Sequence, residues 1–377
     1  MFGCFECRAN VCHGALEHPS QPACSPRCAR FAAADVIGIA TELVRQRTYH
    51  PRPGVIQVVD PSGITLIDPL ALTSFEPLRQ VLANPSLVTL IHACDEYLEL
   101  LKLLTDTVPV RVFDTQLAGA FAGYGYSLGY RDLVLELLGA TLDKGETRSD
   151  WCRRPLSATQ LRYAALDVAH LPSLYERLST RLVALGRNTW LEQEFQYRRA
   201  VRTADKEPDR AYLRVKRRGT LAPDDHAVLR ALSAWREREA QARDIPRRHL
   251  LTDEALIELS TIRVFDGAAL RRVGKVLRQV PVKSGEELVP CAEAARRAGP
   301  SSLDRHVRVR VDAEATKRLK SIVREVADTL GLPQELVANR RALEGLVIAV
   351  SKERSAIPAE FLGWRYDLVT TRLLESL

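Results

Sequence analysis

The chain has 377 residues, room for two or three domains, and its 46% hydrophobic and 27% charged residues are those of an ordinary globular protein. Lys and Arg outnumber Asp and Glu by 54 to 47, a net charge of +7 that suits a polyanionic partner without requiring one. No apolar run reaches the ~18 residues a membrane-spanning helix needs, and the N-terminus lacks a signal-peptide core, so the expected setting is the cytoplasm, away from any membrane.

Five of the eight cysteines fall in the first 28 residues: Cys4, Cys7, Cys12, Cys24 and Cys28. The Cys4/Cys7 and Cys24/Cys28 spacings, with His13 nearby, permit a structural zinc. The competing reading is a divergent leader over 1–30 with no ligand role, since Pro26 splits the second pair and no knuckle glycine accompanies either. From Val36 the pattern becomes short β-rich runs, Val36–Ala40, Val55–Val59 and Ile64–Ile67, separated by turn residues at Pro51–Gly54 and Asp60–Gly63. A helix over Phe75–Leu82, a strand over Val88–Ala93 and a helix capped by Asp95 follow. In that last helix Leu98, Leu100, Leu101 and Leu104 are the expected buried positions. This alternation predicts a mixed α/β sheet flanked by helices.

A further helix starts near Ser157 with Leu161, Ala165 and Val168 as its apolar stripe, which sets Tyr163 and Asp167 on one face, four residues apart. The charged stretch Arg198–Arg218 reads as a linker. Its Arg198, Arg199, Arg202, Arg214, Lys216, Arg217 and Arg218, with Arg271, Arg272 and Lys275 beyond, are candidate phosphate contacts. Everything after it is helical: Val228, Leu232 and Trp235, then Leu256 and Leu259, form one module. Leu319, Ile322, Val323 and Val326, then Leu343, Leu346 and Val347, then Phe361–Leu374, form a second.

Several stretches carry a family resemblance. Leu142–Trp151, followed by Arg154-Pro155-Leu156 and by Gln160, Tyr163, Asp167 and Val168, resembles the third exonuclease motif of the ribonuclease D family. Arg45, Thr48, Tyr49, Pro51, Ile56 and Gln57 are similar to the stretch after that family's first motif, and Asp114-Thr115-Gln116 matches as well. Trp235-Arg236, Asp253–Leu256, Arg340-Arg341 and Leu362–Arg365 resemble its two HRDC domains. The resemblance implies a ribonuclease H-like exonuclease domain over 31–195, a basic linker over 196–222, and all-α HRDC domains over 223–297 and 302–377. It further implies a monomeric 3'→5' exoribonuclease that trims the 3' ends of tRNA precursors with two Mg²⁺ or Mn²⁺ ions.

Such ions are hard acids that need several carboxylate oxygens, and the family brings four together. Here the first motif reads Ala40-Thr41-Glu42-Leu43, with Ala40 where the family has its metal-bridging aspartate. The second reads His92-Ala93-Cys94-Asp95-Glu96-Tyr97, with Tyr97 at the second aspartate position. The third is intact. The resemblance thus leaves Glu42 and Asp167 as metal ligands and Tyr163 as the residue that orients water. Alanine offers no ligand and a phenol of pKa ~10 is a poor one, so weak hydrolysis or none is expected. Tyr49, Gln57, Lys144 and Arg148 are candidate RNA contacts, against the plain alternatives of core packing and surface charge. Two functions therefore stay open: a metal-dependent exoribonuclease, or a catalytically impaired pseudo-nuclease that binds RNA.

Overall fold

The computed structural model describes residues 24–45, 47–143, 145–146, 149–203, 207–264, 282–300, 313–353 and 355–377. Five strands form one mixed sheet: β1 (Val36–Val44), β2 (Arg52–Asp60), β3 (Gly63–Ile67), β4 (Val88–Ile91) and β5 (Arg111–Asp114), in the order β3-β2-β1-β4-β5. β1 pairs in parallel with β4, Val36 opposite Val88, and β4 in parallel with β5, while β2 and β3 are antiparallel. Eight helices belong with the sheet: α1 (Cys24–Ala32), α2 (Glu76–Leu82), α3 (Cys94–Thr105), α4 (Thr115–Phe121), α5 (Tyr130–Leu138), α6 (Ala158–Ala169), α7 (Leu171–Ala184) and α8 (Asn188–Thr203).

Strand alternation sorts the core onto two faces. Ile37 and Ile39 of β1 join Ile56 and Val58 of β2 and the buried side chains of α1 to α3. Ala40, from the opposite face of β1, packs with Val59, Leu90, Val168 and Leu171. The sheet is thus covered on both sides, as the sequence pattern anticipates. Pro26 falls in the first turn of the helix over Cys24–Ala32, where proline removes no hydrogen bond.

The chain divides into two compact units. One comprises Met1–Val44, Pro53–Ala204 and Arg310–Leu377, and the other Arg45–Arg52 and Asp205–Val309. In the first, the C-terminal helices share a single core with the helices that cover the sheet: Leu117, Phe121, Leu174 and Leu178 pack with Leu319, Leu343, Phe361 and Trp364. Glu194 of α8 is held there by Arg365 Nη1 at 2.5 Å, Trp364 Nε1 at 3.1 Å and Arg198 Nε at 3.0 Å. In the second unit α9 (Pro223–Ala242) supplies Val228, Leu229 and Leu232 to a core with Leu256, Leu259 and Leu288.

The described residues of the stretch read as a linker are structured. α8 extends to Thr203, and short 3₁₀ turns over Pro208–Arg214 and Arg218–Thr220 bury Ala211, Tyr212 and Val215. Its charges misled the sequence reading because several are ion-paired rather than solvated. Arg198 pairs with Glu194, and Arg214 lies 3.2 Å from the buried Glu237. Arg271, Arg272 and Lys275 lie outside the described residues, as does the side chain of Arg202.

Removing Glu194 leaves the Arg365 guanidinium buried beside no carboxylate. We expect Glu194→Ala to cost about 3–5 kcal/mol in urea unfolding. Burial alone would raise the Glu194 pKa, but Arg365 and Arg198 outweigh it and hold the carboxyl below its ordinary value. A depressed native value means that the unfolded chain binds more protons in the acid range. The contribution is therefore fully present above the ordinary glutamate range and is lost as pH falls through the native value. Glu194→Gln should flatten that part of the stability–pH curve.

Candidate functional site

The site is built where β1, α3, α5 and α6 converge. Ser157 caps α6 by accepting from Gln160 N–H, and the Gln160 side chain returns the bond to the Ser157 backbone. The loop before it is clamped by Arg154, which donates to both Asp68 carboxylate oxygens, to the Gly54 carbonyl and to the Trp151 carbonyl. Gly54 is required there: a Cβ at that position would sit 2.4 Å from the Trp151 Cβ. Trp151 in turn packs against Tyr163, their ring centres 5.9 Å apart.

From this scaffold α6 presents Tyr163 and Asp167 toward β1. The Glu42 and Asp167 carboxyls lie close enough for each to act on the ionisation of the other. Both pKa values are raised: that of Glu42 by burial first, then by its bond to and repulsion from Asp167, and that of Asp167 by burial. The pair therefore retains a proton to higher pH than ordinary carboxylates do. The Tyr163 phenol is also raised, by burial and then by Asp167 and Glu42, so at neutral pH it is a protonated hydrogen-bond donor. The third motif thus assembles with the surviving glutamate of the first.

The two replaced positions do not join them as ligands. Ala40 is 8% exposed and forms part of an apolar floor with Val59, Leu90, Val168 and Leu171. Tyr97 lies half-buried against the cluster that contains Leu98, Leu101 and Phe195. Asp95 does not cap α3 as expected, since Ala93 occupies that position in a left-handed conformation. The cap comes from a distance. Asp114, at the end of β5, accepts from Ala93 N–H at 3.1 Å and Cys94 N–H at 2.9 Å, and also from Gln116 and Leu117 N–H at the start of α4. One buried carboxylate thereby caps two helices. His92 bonds Thr115 Oγ1 through Nδ1, and burial lowers its pKa.

Two candidate RNA contacts have other employment. Gln57 is fully buried on the face of β2 that carries Val55 and Val59, so it cannot touch RNA. Tyr49 donates to Glu237 at 2.6 Å, accepts from Arg247 and Gln241, and has the Arg247 guanidinium over its ring. Lys144 and Arg148 lie outside the described residues, as do Cys4, Cys7, Cys12 and His13. Cys28 is buried beside Phe31. Among the described residues no group of three or more His, Cys, Asp or Glu side chains is placed to hold a metal ion. None of their helices is long and apolar enough to cross a membrane.

Sequence reasoning missed Asp114 as a cap, although an aspartate before Thr115-Gln116 carries the N-cap signal. It also missed Tyr130, whose hydroxyl bonds the Leu166 carbonyl and the His170 N–H, and Arg131 beside it. Neither residue has a local sequence signature.

Comparison with known proteins agrees with this architecture. Residues 23–183 match a 3'-5' exonuclease family, 225–291 the HRDC domain, and 313–373 the ribonuclease D C-terminal HRDC domain. Ribonuclease D of Pseudomonas paraeruginosa is 34% identical over 355 residues, covering 93% of this chain and 94% of its own. That of a Shewanella species is 33% identical, covering 92% and 89%. The crystal structure of Escherichia coli RNase D, described as an exoribonuclease involved in structured RNA processing, superposes with a TM-score of 0.86 at 30% identity over 94% of this chain and 96% of its own. The fold and the site define a 3'→5' exonuclease joined to HRDC helices. The chain belongs to the ribonuclease D family of 3'→5' exoribonucleases.

A cation between Glu42 and Asp167 would relieve their mutual repulsion and displace the proton they retain, so one ion fits this pair. A second does not fit, because Ala40 and Tyr97 supply no carboxylate. We expect calorimetric titration with Mn²⁺ to give at most one weak site, with an enthalpy that depends on the ionisation heat of the buffer. Glu42→Gln should abolish it. Two ordered ions in anomalous scattering would refute the ligand count.

Proposed function

We propose that this chain engages the 3' ends of tRNA precursors in the cytoplasm, as a monomer, and hydrolyses them far more slowly than a family member with four carboxylates. The exonuclease domain of 31–195 would hold the terminal nucleotide, and the HRDC domains of 223–297 and 302–377 the body of the RNA. The observation that carries this reading is the convergence of Glu42, Asp167 and the Tyr163 phenol on one side of an apolar floor at Ala40.

Each of this chain's own groups has a task in the proposal. Glu42 and Asp167 would hold one Mg²⁺ or Mn²⁺, an ion that supplies Lewis-acid activation of the nucleophile. Asp167 and Glu42 orient the Tyr163 hydroxyl electrostatically, and that hydroxyl positions the attacking water. Trp151 holds the Tyr163 ring in place. What is lacking is charge at the leaving 3' oxygen, which the ligands absent at positions 40 and 97 would have secured.

The same deficit favours a second reading, a pseudo-nuclease that binds RNA and barely cuts. The packing of Ala40 against four buried aliphatic side chains supports it, because no carboxylate stands at that position.

Release of 5'-mononucleotides from a tRNA bearing a 3' extension tests both. Ala40→Asp should raise the rate partially and Tyr97→Asp little. The double variant should exceed the product of the two, because groups that act as one metal-binding unit are strongly non-additive. A folded double variant that binds RNA but is no faster than the parent would sink the ligand argument. A parent that already matches the double variant would show the missing ligands to be dispensable.

A further inference from the structure

The cleft that holds two carboxylates has a cation at its edge, and no motif assigns it a task. Arg131 stands in the first turn of α5, after the N-cap Gly129. Its neighbour Tyr130 fixes that turn against the site: the Tyr130 hydroxyl bonds the Leu166 carbonyl at 3.3 Å and the His170 N–H at 3.0 Å, at the end of α6 that carries Asp167. The Tyr130 ring also packs on the cluster that contains Ala40. Arg131 is close enough for its charge to act on the Tyr163 phenol, opposing Asp167 and Glu42. Its side chain is 32% exposed, and its ion pair with the neighbouring Asp132 is loose, at 3.7 Å, with Asp132 58% exposed. A guanidinium so weakly engaged keeps most of its five donors available.

An RNA 3' end entering this cleft brings a phosphodiester anion toward two acidic groups. With four carboxylates, two cations would neutralise that anion; here at most one is accommodated. A nearby guanidinium can answer a phosphate with paired N–H···O bonds. Arg198 and Arg154 are committed elsewhere, to Glu194 and to Asp68.

We infer that Arg131 is an RNA-contacting residue that neutralises the terminal phosphodiester at the mouth of the cleft, so that RNA 3' ends are held there without metal. The inference rests on the RNA-binding reading above and adds to it the group that grips the last phosphate.

The test measures binding of a single-stranded RNA dodecamer with a 3' hydroxyl in EDTA, by fluorescence anisotropy over a range of salt. A second dodecamer carries a neutral methylphosphonate in place of its last phosphodiester. The wild-type chain should prefer the charged end by about tenfold, and Arg131→Gln should lose that preference while its melting temperature stays that of the parent. The variant should also bind with a salt slope shallower by ~0.7. Arg131→Lys should recover part of the preference, since it keeps the charge and loses the paired geometry. If wild type binds RNA but Arg131→Gln discriminates between the two ends as well as wild type does, the inference is wrong and the broader reading survives. If wild type binds neither dodecamer, both fail.

Discussion

The buried Asp114 carboxylate is the constraint on which the arrangement of this site turns. Buried as it is, this polar group is tolerable only because four backbone N–H groups converge on it, two from each of two helix starts. It therefore ties the end of β5 to α3 and α4 together. The direction in which α3 carries Tyr97 follows from that tie, and so does the path of the chain through α4 to the turn that bears Tyr130 and Arg131. An interaction that never touches substrate thus decides where several cleft residues stand.

A second constraint acts from below. Arg154 gathers Asp68, Gly54 and the carbonyl of Trp151 into one fork, which fixes the loop before α6 and lays the Trp151 ring beside Tyr163. The surviving half of the cleft is consequently preorganised by packing and hydrogen bonds, independently of any ligand at the emptied positions. The loss at Ala40 and Tyr97 is a loss of charge in a frame that persists.

Much of this was legible in the chain itself. The alternating apolar runs gave the sheet, and Ser157 with Gln160 marked the start of the helix on which Tyr163 and Asp167 lie four apart. Local signals of that kind survive because the interactions behind them span only a few residues. The errors were non-local. Asp95 looked like a cap because it precedes a helix, but the capping oxygen arrives from Asp114, about twenty positions later. Arg198 and Arg214 read as linker residues and candidate phosphate contacts because their run is polar, yet each answers a buried glutamate. Tyr49 and Gln57 matched a family pattern that does not say whether a side chain faces outward, and the fold turned one to Glu237 and the other into the core.

The sharing of one core between α4, α7 and the C-terminal helices also bears on how the molecule is made. Trp364 and Arg365, which complete the surroundings of Phe121 and Glu194, are separated from the end of the nuclease segment by the whole of Asp205–Val309. At a synthesis rate of ~5–20 residues per second, the ribosome finishes the nuclease segment roughly 10–30 s before those residues emerge. Throughout that interval Glu194 has no Arg365, and α4 and α7 lack the C-terminal side chains that complete their core. The nascent chain must pass through a stage in which its catalytic half is translated but unfinished, the stage at which a chaperone would find it.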